Sequence, residues 1–252
     1  MDFLKGLAAN KPMFVASFSP TPAPVESGQK LIAVSMPKYI ITHAPAPLDW
    51  ARTGVILGSP RAIAIAASIS SKDDIKRLID ETMQAFGRID ILVCNAASNP
   101  YYGPMAGISD DQFRKILDNN IVANHWLVQL VAPQMVERKD GSIIIISSIG
   151  GLRGSPVIGA YCISKAADAQ MARNLAVEFG PSNVRVNCIS PGLIKTDFAR
   201  ALWENPETSK RATSTTPLRR IGEPDEIAGA AVFLASSAGS YLTGQNIVVD
   251  GG

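Results

Sequence analysis

Tyr161 and Lys165 stand four residues apart in AYCISKAAD. On a helix that spacing puts both side chains on one face, so the ammonium can lie beside the phenol. A free phenol titrates at about 10 and supplies little phenolate at neutral pH. A neighbouring cation favours the ionised form and is expected to lower that value. Such a tyrosine can act as general acid or base on a carbonyl–alcohol pair. Taken alone, the pattern also fits a surface lysine one turn beyond a packed tyrosine. Ser148 lies upstream, where the apolar run SIIIISS ends, and its hydroxyl can hydrogen-bond a substrate oxygen or simply end a strand. Asn120 lies in a long helical pattern, where it can serve chemistry or satisfy helix backbone. NAAS at 95–98 and PGLIKT at 191–196 close two further apolar runs.

The elements that must position these residues alternate in type. SSKDDIKRLIDETMQAFGRID opens on a serine cap and carries Ile75, Leu78, Ile79, Met83 and Phe86 at helical spacing up to Gly87. IDILVCNAA then reads as a central parallel strand buried on both faces. A helix over about 110–138, the strand SIIIISS, a helix over about 160–179, the strand VRVNCISPG, the helix EPDEIAGAAVFLAS and the strand QNIVVDGG follow. Strand–helix alternation implies right-handed crossovers and a doubly wound parallel sheet with helices on both faces, an α/β, Rossmann-like fold. Open sheets of this kind place their sites at the carboxyl ends of the strands, where Ser148, NAAS and PGLIKT all fall.

Bulk properties exclude several other classes. The 252 residues suit one α/β domain, 46% are hydrophobic and the formal charge is only +2. No basic block marks a nucleic-acid surface, and no apolar run is long enough for a membrane span. Cys94, Cys162 and Cys188 are widely spaced and read as reduced, buried residues of a cytoplasmic protein. His43 and His125 lack partners at ligand spacing, so no metal site is expected.

These motifs together resemble the short-chain dehydrogenase/reductase family over residues 62–252. NAAS, DNNI, ISS, YCISK, NCISPGLIKT, RRIGEPDEIAGAAVFLAS and LTGQNIVVDGG stand in the family's order and spacing. NPYYGP and PGLIKTDFARALW are similar to its carbonyl and retinal reductase branch, with Tyr101 and Tyr102 either walling a substrate pocket or packing. The resemblance implies NADP or NAD as cofactor, inclining to NADP, and a small carbonyl or alcohol substrate. Tyr161 would then be the proton donor or acceptor. Lys165 would lower its pKa and hold the nicotinamide ribose, Ser148 would polarise the carbonyl, and Asn120 would anchor a relay water. Asn95, Ala96 and Ala97 would line the cofactor crevice; Pro191, Gly192, Ile194 and Thr196 would close over nicotinamide and pyrophosphate. The segment from Lys195 to Pro217 would cover the substrate. A homodimer or homotetramer formed on the helices at 110–138 and 160–179 is also implied, as is hydride transfer supplied by the cofactor. A non-catalytic homologue that serves only as an oligomer partner is the alternative.

Residues 1–61 depart from the pattern. The stretch 12–60 holds 8 of the 17 prolines and only five charged residues. TGVILGSPRAIA at 53–64 has the spacing of a phosphate-binding turn, but Pro60 stands where a last glycine belongs. Gly54 is also only 41 residues before Asn95, too few for the intervening βαβ elements. The family's separation places its glycine loop near 15–25, VASFSPTPAPV, where prolines stand instead of glycines. Correct length with foreign composition points to a shifted reading frame across 12–60. AASIS offers Ser68 where the family carries an aspartate after its third strand.

Overall fold

A computed structural model describes residues 31–34, as a strand, and residues 63–252. Five parallel strands form one sheet in the order β1 (Leu31–Val34), β2 (Ile91–Cys94), β3 (Gly141–Ile146), β4 (Val184–Pro191) and β5 (Asn246–Val249). The register sets Leu31 against Ile91, Ile91 against Ser142, Ile145 against Cys188 and Cys188 against Asn246. The strand beside β2 is thus Leu31–Val34, which follows the stretch near 15–25 where the glycine loop is expected. That stretch, and TGVILGSPRA, lie outside the described residues.

Period-two alternation sorts the strand side chains between two cores. Leu92, Cys94, Ile143, Ile145, Val184, Val186 and Cys188 face one side. There they meet α1 (Lys72–Phe86), α3 (Ala123–Arg138) and α4 (Gly159–Phe179). Ile144 and Ile189 face the other side, against Leu234 of α7 (Pro224–Ala235). Helices on both faces make the sheet doubly wound, as the near-continuous apolar strands require.

Local chemistry fixes the helix ends. Ser71 caps α1 by accepting from the Asp74 N–H at 3.2 Å, and Gly87 ends it at φ 77°, donating to the Met83 carbonyl at 2.7 Å. Ser109 and Gln112 form a reciprocal capping box at the start of α2 (Asp110–Leu117). The stretch read as one helix over 110–138 is divided by a π-helical turn at Asp118–Val122. The wider turn brings both Asn119 and Asn120 inward, at 5% and 0% exposure. Such turns commonly sit at functional sites. The presumed loop from Lys195 to Pro217 instead contains two helices, α5 (Arg200–Trp203) and α6 (Pro206–Thr215), the latter capped by Asn205. Residues 63–70, which include AASIS at 66–70, form neither helix nor strand.

Candidate active site

Three strand ends and one helix converge. Asn95, Ala96 and Ala97 follow β2 and are half-buried. Ser148 follows β3 and caps a 3₁₀ turn at Ile149–Gly151, its hydroxyl accepting from the Gly150 N–H at 3.0 Å. That turn lies directly on α4: a Cβ on Gly151 would stand 2.7 Å from the Lys165 backbone. Glycine is needed here for close approach rather than for a special φ.

Tyr161, in the first turn of α4, is half-buried and faces Ser148, whose hydroxyl favours the phenolate. Lys165 sits one turn on, its Nζ 5.7 Å from the Tyr161 ring centroid. The spacing argument is thus met in geometry. The Lys165 charge does favour the phenolate, as the spacing implies, but burial is the larger influence. Burial pushes the phenol above its ordinary value, outweighing the Lys165 charge and the Ser148 hydroxyl, both of which favour phenolate. The sequence could not weigh that burial, because desolvation depends on what packs over the ring. Phe198 supplies part of that cover, its ring centroid 6.1 Å away.

Lys165 is 2% exposed and donates to the Ile146 carbonyl at 2.8 Å and to Asp168 Oδ2 at 2.9 Å. Asp168 is wholly buried, and Asn124 Nδ2 donates to its other oxygen at 3.1 Å. Burial pushes this carboxyl above the usual carboxylate range, while Lys165 and Asn124 pull it back. The same Asn124 amide donates to the Asn120 carbonyl at 2.7 Å. Asn120 Oδ1 accepts from the Ser98 N–H at 2.8 Å, and its Nδ2 donates to the Ser98 carbonyl and to Ser164 Oγ. Ser164 in turn donates to the Tyr161 carbonyl at 2.7 Å. Asn120 therefore has protein partners for its whole amide and for its carbonyl, and ties the loop after β2 to α4.

PGLIKT leaves β4 as a shaped segment. A Cβ on Gly192 would stand 2.7 Å from Asp250 Cβ, so only glycine passes there. Ile194 is buried and bridges to Gly222, and the Thr196 carbonyl accepts from Trp203 Nε1 at 2.7 Å. Tyr101 donates to the Pro104 carbonyl at 2.9 Å, whereas Tyr102 is exposed. A depression of about 530 Å³ beside α5 and α6, lined by Lys195, Trp203 and Arg220 among others, includes none of Ser148, Tyr161 and Lys165. Cys94, Cys162 and Cys188 are free and buried. Among the described residues no group of three or more potential ligands could hold a metal ion, and no helix is long and apolar enough to cross a membrane.

Asp168, Asn124, Ser164 and Phe198 were not singled out from sequence. Asp168 did carry a signal, an acid three residues beyond Lys165 on a helix face otherwise made of small residues. Phe198 carried none, since its contact depends on how the segment after β4 folds back.

Fold and site define a doubly wound α/β protein with a serine–tyrosine–lysine set at the carboxyl ends of its strands. Residues 51–252 match the family model described as Enoyl-(Acyl carrier protein) reductase. The chain is 42% identical over 184 residues to Dehydrogenase/reductase SDR family member 4 of Bos taurus, covering 73% of this chain and 66% of that protein. A 7α-hydroxysteroid dehydrogenase solved with NADH and 7-oxo glycochenodeoxycholic acid is 36% identical, with a TM-score of 0.71 over 74% of this chain and 68% of its own. A gluconate 5-dehydrogenase of Burkholderia cenocepacia, solved with NADP and tartrate, is 31% identical, with a TM-score of 0.70 over 73% of this chain and 72% of its own. The chain belongs to the short-chain dehydrogenase/reductase family.

Proposed function

We propose that this chain interconverts a small carbonyl compound and its alcohol with NAD(P)(H). The observation that carries the reading is the convergence of Ser148, Tyr161 and Lys165 at the ends of β3 and α4. The donor set fits the nicotinamide riboside end of such a cofactor. An ammonium has three N–H donors, and Lys165 uses two on Ile146 and Asp168, leaving a third for ribose hydroxyls. Asn95, Ala96 and Ala97 would line the crevice, and Pro191, Gly192, Ile194 and Thr196 would close it. The bound dinucleotide supplies hydride exchange with the substrate carbon.

The protein's own part is position and the proton. Ser148 donates to the substrate carbonyl oxygen and orients it toward the Tyr161 hydroxyl. Tyr161, held as phenol by burial, delivers its proton to that oxygen during reduction and takes it back during oxidation. Lys165 stabilises the phenolate left after proton delivery. Asn120 anchors Ser98 and α4 and keeps the β2 crevice in register with Tyr161. Phe198 and the helices after Lys195 cover the substrate.

A carbonyl reductase branch, a cytoplasmic location and a homodimer or homotetramer complete the proposal. Exposed Ile163 and Val177 on α4 support association through that helix. The second reading, a homologue without dinucleotide binding, is favoured by the unfamiliar composition of residues 12–60. Titration of the full chain with NADH and NADPH, followed by protein fluorescence, separates the two. Saturable binding is expected, together with a loss of about a hundred- to ten-thousand-fold in kcat for Tyr161→Phe at unchanged cofactor affinity. Absence of binding at millimolar concentration of either cofactor overturns the enzyme reading.

A further inference from the structure

We propose that Asp168 is a positioning residue for this reaction, fixing where the Lys165 ammonium sits and how much of its charge reaches Tyr161. The inference rests on the functional reading above and goes beyond its three reacting side chains. Asp168 and Lys165 are the two ends of an ion pair at 2.9 Å in which neither partner is more than 2% exposed. A buried carboxylate on an otherwise small-residue face needs a reason, because such pairs seldom add net stability over apolar replacements.

The geometry supplies one. Asp168 and the Ile146 carbonyl hold Nζ from two sides, so the direction of the remaining N–H is set before any ligand arrives. Asp168 is itself held by Asn124, whose amide also grips the Asn120 carbonyl. The chain of contacts closes on Tyr161 through Asn120 and Ser164. One hydrogen-bonded ring thus fixes the lysine relative to the tyrosine without using a hydrogen-bonding group of the Tyr161 side chain.

The charges around Asp168 are sparse. Lys165 and Tyr161 face it from its own helix, Cys94 from β2 and Cys188 from β4, with Asn124 from α3. Burial pushes both thiols well above their usual range, so they stay neutral. Cys162 also faces Tyr161, with Arg153 near that thiol, and Arg173 acts on Cys188. Asp168 is thus the anion that offsets Lys165, and it opposes formation of phenolate at Tyr161. Removing its charge while keeping an acceptor for Nζ exposes Tyr161 to more of the lysine field.

The test is an ultraviolet titration of tyrosinate in the ligand-free full chain, with the Tyr161 contribution isolated by subtracting Tyr161→Phe. Asp168→Asn is expected to move the Tyr161 transition down by about one pH unit, a roughly tenfold rise in its dissociation constant. Asp168→Ser, smaller and still able to accept from Nζ, is the second variant, and either one that keeps a cooperative melt decides. The rising limb of kcat/KM for alcohol oxidation should move down by the same amount. A purely structural Asp168 would lower the melting temperature and leave the Tyr161 transition in place, and that result, or an upward shift, overturns the proposal. The titration needs no cofactor, so failure of NAD(P)H binding would sink the functional reading without touching this outcome.

Discussion

Tyr161 lies between opposing influences, of which burial is the largest. Its burial and Asp168 favour the phenol; Lys165 and Ser148 favour the phenolate. With burial largest, the hydroxyl keeps its proton through the neutral range and is ready to act as an acid. The sign for the two directions follows. Carbonyl reduction needs the protonated form, so its kcat/KM should stay flat through neutrality and fall only in strong alkali. Alcohol oxidation needs the phenolate, so its kcat/KM should climb with pH and reach no plateau below about pH 10. Initial rates in both directions across a pH series check this, and an oxidation plateau near neutrality would show that Lys165 outweighs burial. Ser148, Tyr161 and Lys165 were legible as candidates in the sequence, Ser148 from its place after a strand and the other two from their spacing on one helix face. Asp168 and Asn124 act across elements, through contacts that no local spacing encodes. The water-anchoring role expected of Asn120 rested on resemblance. In the structure its amide and carbonyl have Ser98, Ser164 and Asn124 as partners.

At the scale of elements, the site depends on how closely the turn after β3 lies on α4. Ala160, Ala169, Ala172 and Ala176 give that helix a face of small side chains, which lets it sit close against β3 and β4. Gly151 then meets the Lys165 backbone, which cannot step aside as a flexible side chain would. Gly151→Ala should therefore push the Ser148 turn away from Tyr161. The expected result is a fall in kcat/KM of at least about tenfold, since small displacements of reacting groups cost that much or more. The melting temperature should drop by only a few degrees, corresponding to about 1–3 kcal/mol of overpacking. Steady-state kinetics beside thermal denaturation separate the two effects, and equal losses in both would deny the turn a catalytic role. The strands and long helices were readable because β2, β3 and β4 are short apolar runs and α1 opens on a serine cap. The π-helical turn and helices α5 and α6 were not. Asp118–Val122 changes helix type without interrupting the helical pattern, and PETSKRATST has little apolar periodicity to announce α6.

For the whole molecule, the two parts of the chain carry different information. From residue 63 onward a sheet, its two cores and the Ser148, Tyr161 and Lys165 positions agree with one another and with the family. Upstream, the composition of residues 12–60 disagrees with the role that position implies, since a dinucleotide's phosphates need glycines and free backbone N–H groups where prolines stand. A shifted frame would account for correct length with foreign residues. It makes a definite prediction: one of the other two frames across the codons for 12–60 encodes a strand followed by T-G-x-x-x-G-x-G. The chain carrying that segment should then bind NAD(P)H at least about tenfold more tightly than the chain as given, with the Tyr161 titration unchanged. If neither frame holds the motif, or the two chains bind alike, the prolines belong to the protein and its phosphates must be held in another way.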